Sequence, residues 1–486
     1  MTRRNYDIVI VGSGAGGGTV AQELSPLCRQ GLRIAVLEKG PRLRDDEFTG
    51  RELEMAAALY EDGGGFLTAD GTMTLAFGRA YGGSTVVYTG TSMLPPARVI
   101  RHWNVPGLTH ADLECRAHKF MGQNNVHLLE DDLINENNKL FVAGCRQLGY
   151  DVRQFPVNIK GCRGSSLCNL GCPNQAKQGT DRVQLPNAER NGVEVITRCE
   201  ALAIGERSLT ARVSAKPAGG KGDPSPWEPG EYQIDAQIIV LCAGAIHTPA
   251  LLLRSPFSAG LPRLGRGFTC HPAMIIVAEH ARPITNFVGF PKSYYLDEFA
   301  ESRHFVLETC MYFPFITAKS LAGFGAPHSA FMRAFPRLQM ILVLACDKAD
   351  EYNRVSLDRA GLPVVHYHFQ PDAVQGLTGG AETAARIFTA AGAVRVHRPL
   401  EGGFRPGTVP VSAAHIQGGC AMGQVTDAWG QVRGLPWLYV ADASLFPDSL
   451  EINPYLTIMA LADRVAQRIK EGGREPARSQ GSASNP

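Results

Sequence analysis

The sequence contains no run of about 18 consecutive apolar residues, so it lacks a transmembrane helix. Its densest apolar stretch, Leu338 to Cys346, has the length of a buried strand. It also lacks an excess of charge of either sign. Lys and Arg number 48 and Asp and Glu 46, a net charge of +2. Nothing here resembles the basic stripe of a nucleic-acid binder. Cysteine is too sparse, at 12 in 486 residues, for a secreted disulfide scaffold. Internal repeats and low-complexity blocks are missing. An Arg3-Arg4 pair opens the chain, but no signal-type apolar region and cleavage site precede the first apolar strand. The chain therefore reads as cytoplasmic, with periplasmic placement through an exported partner subunit as the alternative.

What is present is a large core. Hydrophobic residues make up 44% and charged residues 19%, which describes a globular chain. The length suits two or three domains or one interleaved unit. The 53 glycines imply many tight turns or close backbone approaches to a ligand.

Tyr6 to Val11 reads as a buried parallel strand, and Gly12-Ser-Gly14-Ala-Gly16-Gly17 follows it. A helix is predicted from about Gly17 to Cys28, then a strand from Arg33 to Leu37 ending at Glu38. This strand, glycine turn, helix, strand and acid form a βαβ dinucleotide unit. In it Gly12 permits the turn, Gly14 admits a pyrophosphate to the backbone, and Gly17 lets helix and strand pack closely. The helix N-terminus offers amide donors to the phosphates. Glu38 is placed to accept ribose hydroxyls and to disfavour a 2′-phosphate. The fingerprint does not choose between FAD and NAD. A glycine-rich turn without ligand is the plainer alternative.

Further along, residues 192–215 carry strand patterns, and Lys216 to Gly230 is a Pro/Gly surface loop. A strand from Ala236 to Leu241 leads into Cys242-Ala243-Gly244. A strand near Leu438, a loop, and a helix from about Pro454 to Lys470 close the fold, with a polar tail over 471–486 expected to be disordered. His366 and His368 alternate along a strand pattern, but no third metal ligand accompanies them.

Several blocks together resemble the glucose–methanol–choline (GMC) family of FAD-dependent oxidoreductases. They are Gly78-Arg-Ala-Tyr-Gly82-Gly83-Ser84-Thr85, Cys242-Ala243-Gly244 through Pro249, Gly265 through His271-Pro272, Ser412 through His415 to Gly423, Asp442-Ala443, and Asn453-Pro454-Tyr455. Within the family, Gly171 to Thr180 and Val355 to Pro363 resemble the bacterial and long-chain alcohol oxidase branch. The resemblance implies an α/β fold: a Rossmann-type FAD-binding domain interleaved with an α+β substrate domain built on an antiparallel sheet. The expected division is 1–270 with 427–470 for FAD and 271–426 for substrate. It implies FAD contacts at Gly12, Gly14, Gly17, Glu38, Gly82, Gly83, Ser84, Thr85, Ala243, Gly244, Asp442, Ala443, Pro454 and Tyr455. Val86-Val87-Tyr88 depart from the family, which often has Asn there, and the absence of His over 84–100 implies non-covalent FAD.

Alcohol oxidation needs a base for the hydroxyl proton, and imidazole is suited to that near neutral pH. His415 matches the family's catalytic histidine. Asn453 matches its second catalytic position, where it would orient substrate oxygen; as Asn-Pro before a helix it also has the makings of an N-cap. Asp442 matches a strand-end acid that accepts a ribityl or ribose hydroxyl.

Cys162, Cys168 and Cys172, the last followed by Pro173, have the flavour of a cluster-binding run. Some FAD-dependent glucose dehydrogenases resemble this spacing, which implies a [3Fe-4S] cluster and an electron-transfer protein or quinone as partner. A packed thiol loop, a disulfide or another metal are the alternatives. The aromatic segment Tyr312 to Phe335 could line an apolar pocket, touch a membrane surface peripherally or simply pack. Three functions follow for comparison: oxidation of a primary apolar alcohol, a sugar or polyol dehydrogenase with a cluster, and a non-catalytic flavin-binding subunit.

Overall fold

The computed structural model describes residues 1–284 and 286–472. In chain order, strand β1 (Thr2–Val11) leads through a glycine turn to helix α1 (Ala15–Leu24) and strand β2 (Ile34–Leu37). Strands β3 (Glu194–Ile196) and β4 (Gly230–Leu241) follow, and helix α2 (Gly244–Leu253) leaves the end of β4. The second layer supplies β5 (Ala273–Glu279), β6 (Phe305–Thr309), β7 (Leu338–Ala345) and helix α3 (Pro371–Ala390). The chain then returns as β8 (Leu438–Val440) and helix α4 (Tyr455–Lys470).

The first sheet is parallel in the order β3-β2-β1-β4, and β8 joins the outer edge of β4 at Ile239–Leu241. The N-terminal half of that edge carries an antiparallel hairpin, Cys199–Gly205 with Ser208–Val213. β1 starts four residues before the apolar run because exposed Thr2–Asn5 still pair in register with Tyr232–Asp235. Backbone pairing holds those polar residues, and the hydrophobic pattern carries no trace of it. α1 stops short of Cys28: Pro26 has no N–H to continue the α ladder, and Ser25–Gln30 tighten into a 3-10 turn. α1 and α4 pack together on one face of the sheet.

The second sheet has antiparallel β5, β7 and β6 at its centre. One side extends through Ser412–Ala413 to Thr74–Leu75 and Phe66–Leu67, the other through Tyr294–Leu296 to Arg153–Gln154. The second sheet therefore takes strands from residues 66–75 and 153–154, on the N-terminal side of the expected boundary at residue 270. Helix α3 covers this sheet with a stripe of Ala373, Leu377, Ala381, Ala384 and Phe388, spaced three and four residues apart. Among the described residues no helix is long and apolar enough to cross a membrane. All twelve cysteines are free thiols. The expected disordered tail lies outside the described residues from 473 onward.

Candidate active site

A single cavity of about 530 Å³ runs from the glycine turn after β1 to the cavity-facing side of the second sheet. Gly12 sits at a φ of +99°, the left-handed turn that glycine permits. A Cβ on Gly17 would lie 1.9 Å from the Gly12 carbonyl oxygen, and one on Gly16 would lie 1.8 Å from that of Ala441. Helix α1 thus presses on the ends of both β1 and β8, and Gly16 does work that the fingerprint assigns to Gly17 alone. Gly14 is different: an added Cβ would meet only Gly83, at 3.9 Å, so its backbone faces open space.

Of the predicted cofactor residues, Gly12, Gly14, Glu38, Gly83, Ser84, Thr85, Ala243, Gly244, Asp442, Ala443, Pro454 and Tyr455 all line this cavity. Gly17 and Gly82 shape it from behind. The Gly82 amide donates to Ser13 Oγ at 2.9 Å, and Ser13 Oγ donates to Glu38 at 2.5 Å. Ser13, unremarked in the sequence, is the pin that joins the two glycine loops. Glu38 also accepts from the Ser13 and Gly40 amides, at 3.1 and 2.7 Å. Burial pushes its carboxyl above the usual range.

Asp442 does not have the expected role. Its carboxylate accepts four protein bonds, from the Gly244 amide at 2.8 Å, Thr248 Oγ1 at 2.5 Å, the Ser444 amide at 2.8 Å and Ser444 Oγ at 2.5 Å. Four donors use the lone pairs of both oxygens, which leaves none for a ribityl hydroxyl. Asp442 instead ties the start of α2 to the turn after β8. Four buried polar atoms on cavity-lining residues, Arg79 Nε, Tyr88 Oη, His247 Nε2 and Arg254 Nε, have no hydrogen-bond partner among the described residues. The open face of Gly14, the start of α1 and these unspent donors suit a long, phosphate-containing cofactor such as FAD. Near Arg79, Glu61 accepts from Lys39 at 2.7 Å and faces His247 at 3.6 Å. These contacts overcome burial and hold the Glu61 carboxyl down at about 2.

At the other end of the cavity, His415 and Asn453 come together. Asn453 Nδ2 lies 3.2 Å from His415 Nε2. The expected cap by Asn453 is not formed: Pro454 occupies the cap position of α4, and no side chain caps the helix. On its other side, His415 Nδ1 lies 3.0 Å from His271 Nδ1, with the rings edge to face at 85°. His271 Nε2 lies 3.1 Å from Ser449 Oγ. His271 is buried, and burial together with the Lys292 charge pushes it down to about 3. Burial, His271 and Lys292 hold His415 well below the ordinary histidine range, so both rings are neutral near pH 7. His271 stands in a recognised block of the sequence, but nothing local there reveals its contact with His415.

The second sheet forms the opposite wall. Tyr295, Glu308, Leu342 and Ile275 lie directly opposite one another on successive strands, so they share one face, and Leu342 and Ile275 line the cavity. Glu308 is buried in that row and is paired with the Lys292 ammonium, itself a lining residue. Neither carries a sequence signal. Met274, Leu344, Met311 and Tyr312 make the rest of the wall largely apolar.

The cysteine loop does not support an iron–sulfur cluster. Among the described residues no three His, Cys, Asp or Glu side chains are placed to hold a metal. The Gly164 amide donates to Cys162 Sγ at 3.4 Å and the Ala176 amide to Cys172 Sγ at 3.3 Å. Burial raises the Cys162 thiol and pushes Cys168 up to about 12, so both are neutral. Buried Lys177 organises the loop by donating to the carbonyls of Val86, Tyr88 and Cys168 at 2.6, 2.7 and 2.7 Å. The loop is a packed brace behind the Val86–Tyr88 segment. His366 likewise bonds Ser356 Oγ, at 2.9 Å.

The two-sheet fold agrees with the comparisons. The GMC oxidoreductase N-terminal family pattern matches residues 56–273 and the C-terminal pattern residues 349–462. The chain belongs to the GMC oxidoreductase family. It is 31% identical over 490 residues to an uncharacterized GMC-type oxidoreductase of Mycobacterium tuberculosis, covering 95% of this chain and 75% of that protein. It is 28% identical over 523 residues to a long-chain-alcohol oxidase of Arabidopsis thaliana, covering 96% of this chain and 66% of that one. The crystal structure of pyridoxine 4-oxidase from Mesorbium loti has the same fold, with a TM-score of 0.69 at 19% identity over 96% of this chain and 99% of that one. Family and fold support FAD as the cofactor and oxidoreduction as the chemistry.

Proposed function

We propose that the protein oxidises a primary alcohol of apolar character to the carbonyl, with non-covalently bound FAD as cofactor. The observation that carries this reading is the placement of Asn453 Nδ2 at 3.2 Å from His415 Nε2, within one cavity that also contains the glycine turn. Bound FAD supplies the two-electron acceptor for the hydride. His415 takes the hydroxyl proton at Nε2. It is neutral near pH 7, as a base must be. Asn453 hydrogen-bonds the substrate oxygen and holds it against that nitrogen. The apolar residues of the sheet wall exclude water and take the alkyl chain. The similarity to a long-chain-alcohol oxidase points the same way.

The Lys292–Glu308 pair in the same wall favours a second reading, a polyol or sugar as substrate, because a buried ion pair beside a ligand has hydrogen bonds to offer. An electron-transfer protein or quinone then becomes the natural acceptor of the electrons. The test is anaerobic mixing of the FAD-loaded protein with alkan-1-ols, polyols and sugars while flavin absorbance is followed. Fast bleaching by alkan-1-ols is expected. Fast bleaching by polyols alone shifts the assignment to the second reading. Protein with full FAD that no alcohol bleaches would be a flavin-binding subunit without this activity.

A further inference from the structure

With the Asn453 amide nitrogen turned to His415, the donors and acceptors around the two histidines admit one arrangement. The Asn453 amide nitrogen can only donate, so His415 Nε2 accepts and carries no proton. The neutral His415 ring then has its proton on Nδ1 and donates to His271 Nδ1. His271 therefore has its proton on Nε2 and donates to Ser449 Oγ. Ser449 Oγ also accepts from the Glu451 amide at 3.4 Å, which leaves the serine's own proton to point elsewhere.

Elsewhere is a second cavity of about 230 Å³, large enough for several waters, which Ser449 lines and neither histidine does. Ser449 lines it together with Asp347, Asp448, Glu451, Arg98 and His102. Asp347 Oδ1 is buried there without a partner. Burial and the neighbouring Asp448 push the Asp347 carboxyl up to about 7, so it exchanges protons near neutrality.

We infer that His415, His271 and Ser449 form a proton conduit that carries the substrate's hydroxyl proton from the main cavity to this acidic cavity. The inference rests on the proposed alcohol oxidation. In the forward direction the alcohol O–H bond breaks and its proton binds His415 Nε2, and bound FAD would supply the acceptor for the hydride of the carbinol carbon. The Nδ1 proton of His415 passes to His271 Nδ1, the Nε2 proton of His271 passes to Ser449 Oγ, and the serine proton passes to water in the acidic cavity. One proton leaves for each two-electron reduction, and both rings remain neutral in the opposite tautomers. Their return requires one proton to travel inward, and a proton-consuming oxidant of the reduced cofactor draws it. His271 is a positioning residue in this scheme: it fixes which nitrogen of His415 is bare.

Two measurements test the conduit. The first is 15N NMR of imidazole-labelled protein at pH 7, with His271→Gln and His415→Gln variants for assignment. His415 protonated on Nδ1 and His271 on Nε2 are expected. His415 protonated on Nε2 would overturn the arrangement. The second follows proton release with an indicator dye beside flavin bleaching during anaerobic mixing with alcohol. In the wild type the two should coincide. In Ser449→Ala, proton appearance should trail bleaching by about tenfold or more, and Ser449→Thr, which keeps the hydroxyl, should restore coincidence. Coincident release in Ser449→Ala overturns the conduit. If no alcohol bleaches the flavin, the functional reading fails, and the tautomers alone then decide the arrangement.

Discussion

Asn453 turns its amide towards His415, 3.2 Å away, and leaves the helix that begins two residues later without a side-chain cap. The same residue could have served the helix, and the structure gives it to the histidine. This separates two effects that a substitution there would otherwise confuse. Asn453→Ala should slow flavin bleaching by about 10- to 100-fold, while changing stability by less than about 1 kcal/mol. Thr109→Ala provides the contrast. Thr109 Oγ1 accepts from the Asp112 amide at 3.2 Å and does cap its helix, so its loss should cost about 1 kcal/mol with bleaching intact. Urea unfolding and stopped-flow bleaching measure both. A large loss of stability with normal bleaching in Asn453→Ala would return that residue to a structural role.

His415→Ala should fold and retain FAD but lose hydride transfer by about 10³- to 10⁴-fold. The check is the bleaching rate per bound flavin. A rate within about tenfold of the wild type removes His415 as the base.

The histidine pair also makes stability depend on pH in a definite direction. His271 is held down at about 3, below its ordinary value of 6.5, and His415 is lowered too. The unfolded chain therefore binds more protons than the folded one between those two values. The stabilisation that comes from keeping the rings neutral is fully present above about pH 6.5 and is lost as pH falls towards 3. Denaturant midpoints should drop on going from pH 7 to pH 5, and His271→Gln should flatten that slope. The bleaching rate should hold level below pH 6.5, where an ordinary histidine base would already be failing. A rate that halves near pH 6.5 contradicts the lowered His415.

Buried Lys177 donates to three carbonyls and braces both the cysteine loop and the Val86–Tyr88 segment. Lys177→Met strands those acceptors and should cost about 3 kcal/mol or more. Tyr88 lines the cavity beside Tyr455, ring centroids 5.0 Å apart, so FAD retention should fall as well. Thermal unfolding and flavin content per chain report the two effects. The same purification, carried out anaerobically, should yield full flavin with iron and acid-labile sulfide near zero. About three irons per flavin would reinstate a cluster in the thiol loop.

Features built from neighbouring residues were legible in the sequence. The strand Tyr6–Val11, the turn at Gly12, the acid at the end of β2 and the helix after Pro454 follow from hydrophobic period and from the conformational needs of glycine and proline, which act within a few residues. The blocks around His415 and Asn453 marked the site. What the sequence left unread depends mainly on distant partners. Nothing near Asp442 signals that Gly244 and Thr248, nearly 200 positions away, would bond one of its oxygens. Nothing near Cys168 signals that Lys177 would reach across to Val86 and Tyr88. The strands at 66–75 and 153–154 are two or three residues long and carry too few residues for a period. Only pairing with the second sheet makes them strands.

The sequence by itself thus determined that a dinucleotide-binding βαβ unit stands at the start of the chain and that a histidine and an asparagine await each other near its end. The tertiary structure decided what those residues touch. His271 and His415 are 144 positions apart, and they meet because β5 and the segment before β8 converge on one cavity. Lys292 finds Glu308 because cross-strand register puts that carboxylate on the cavity face. Side-chain chemistry is written residue by residue, but hydrogen-bond partners and burial are set by strand register and layer packing, which join distant parts of the chain.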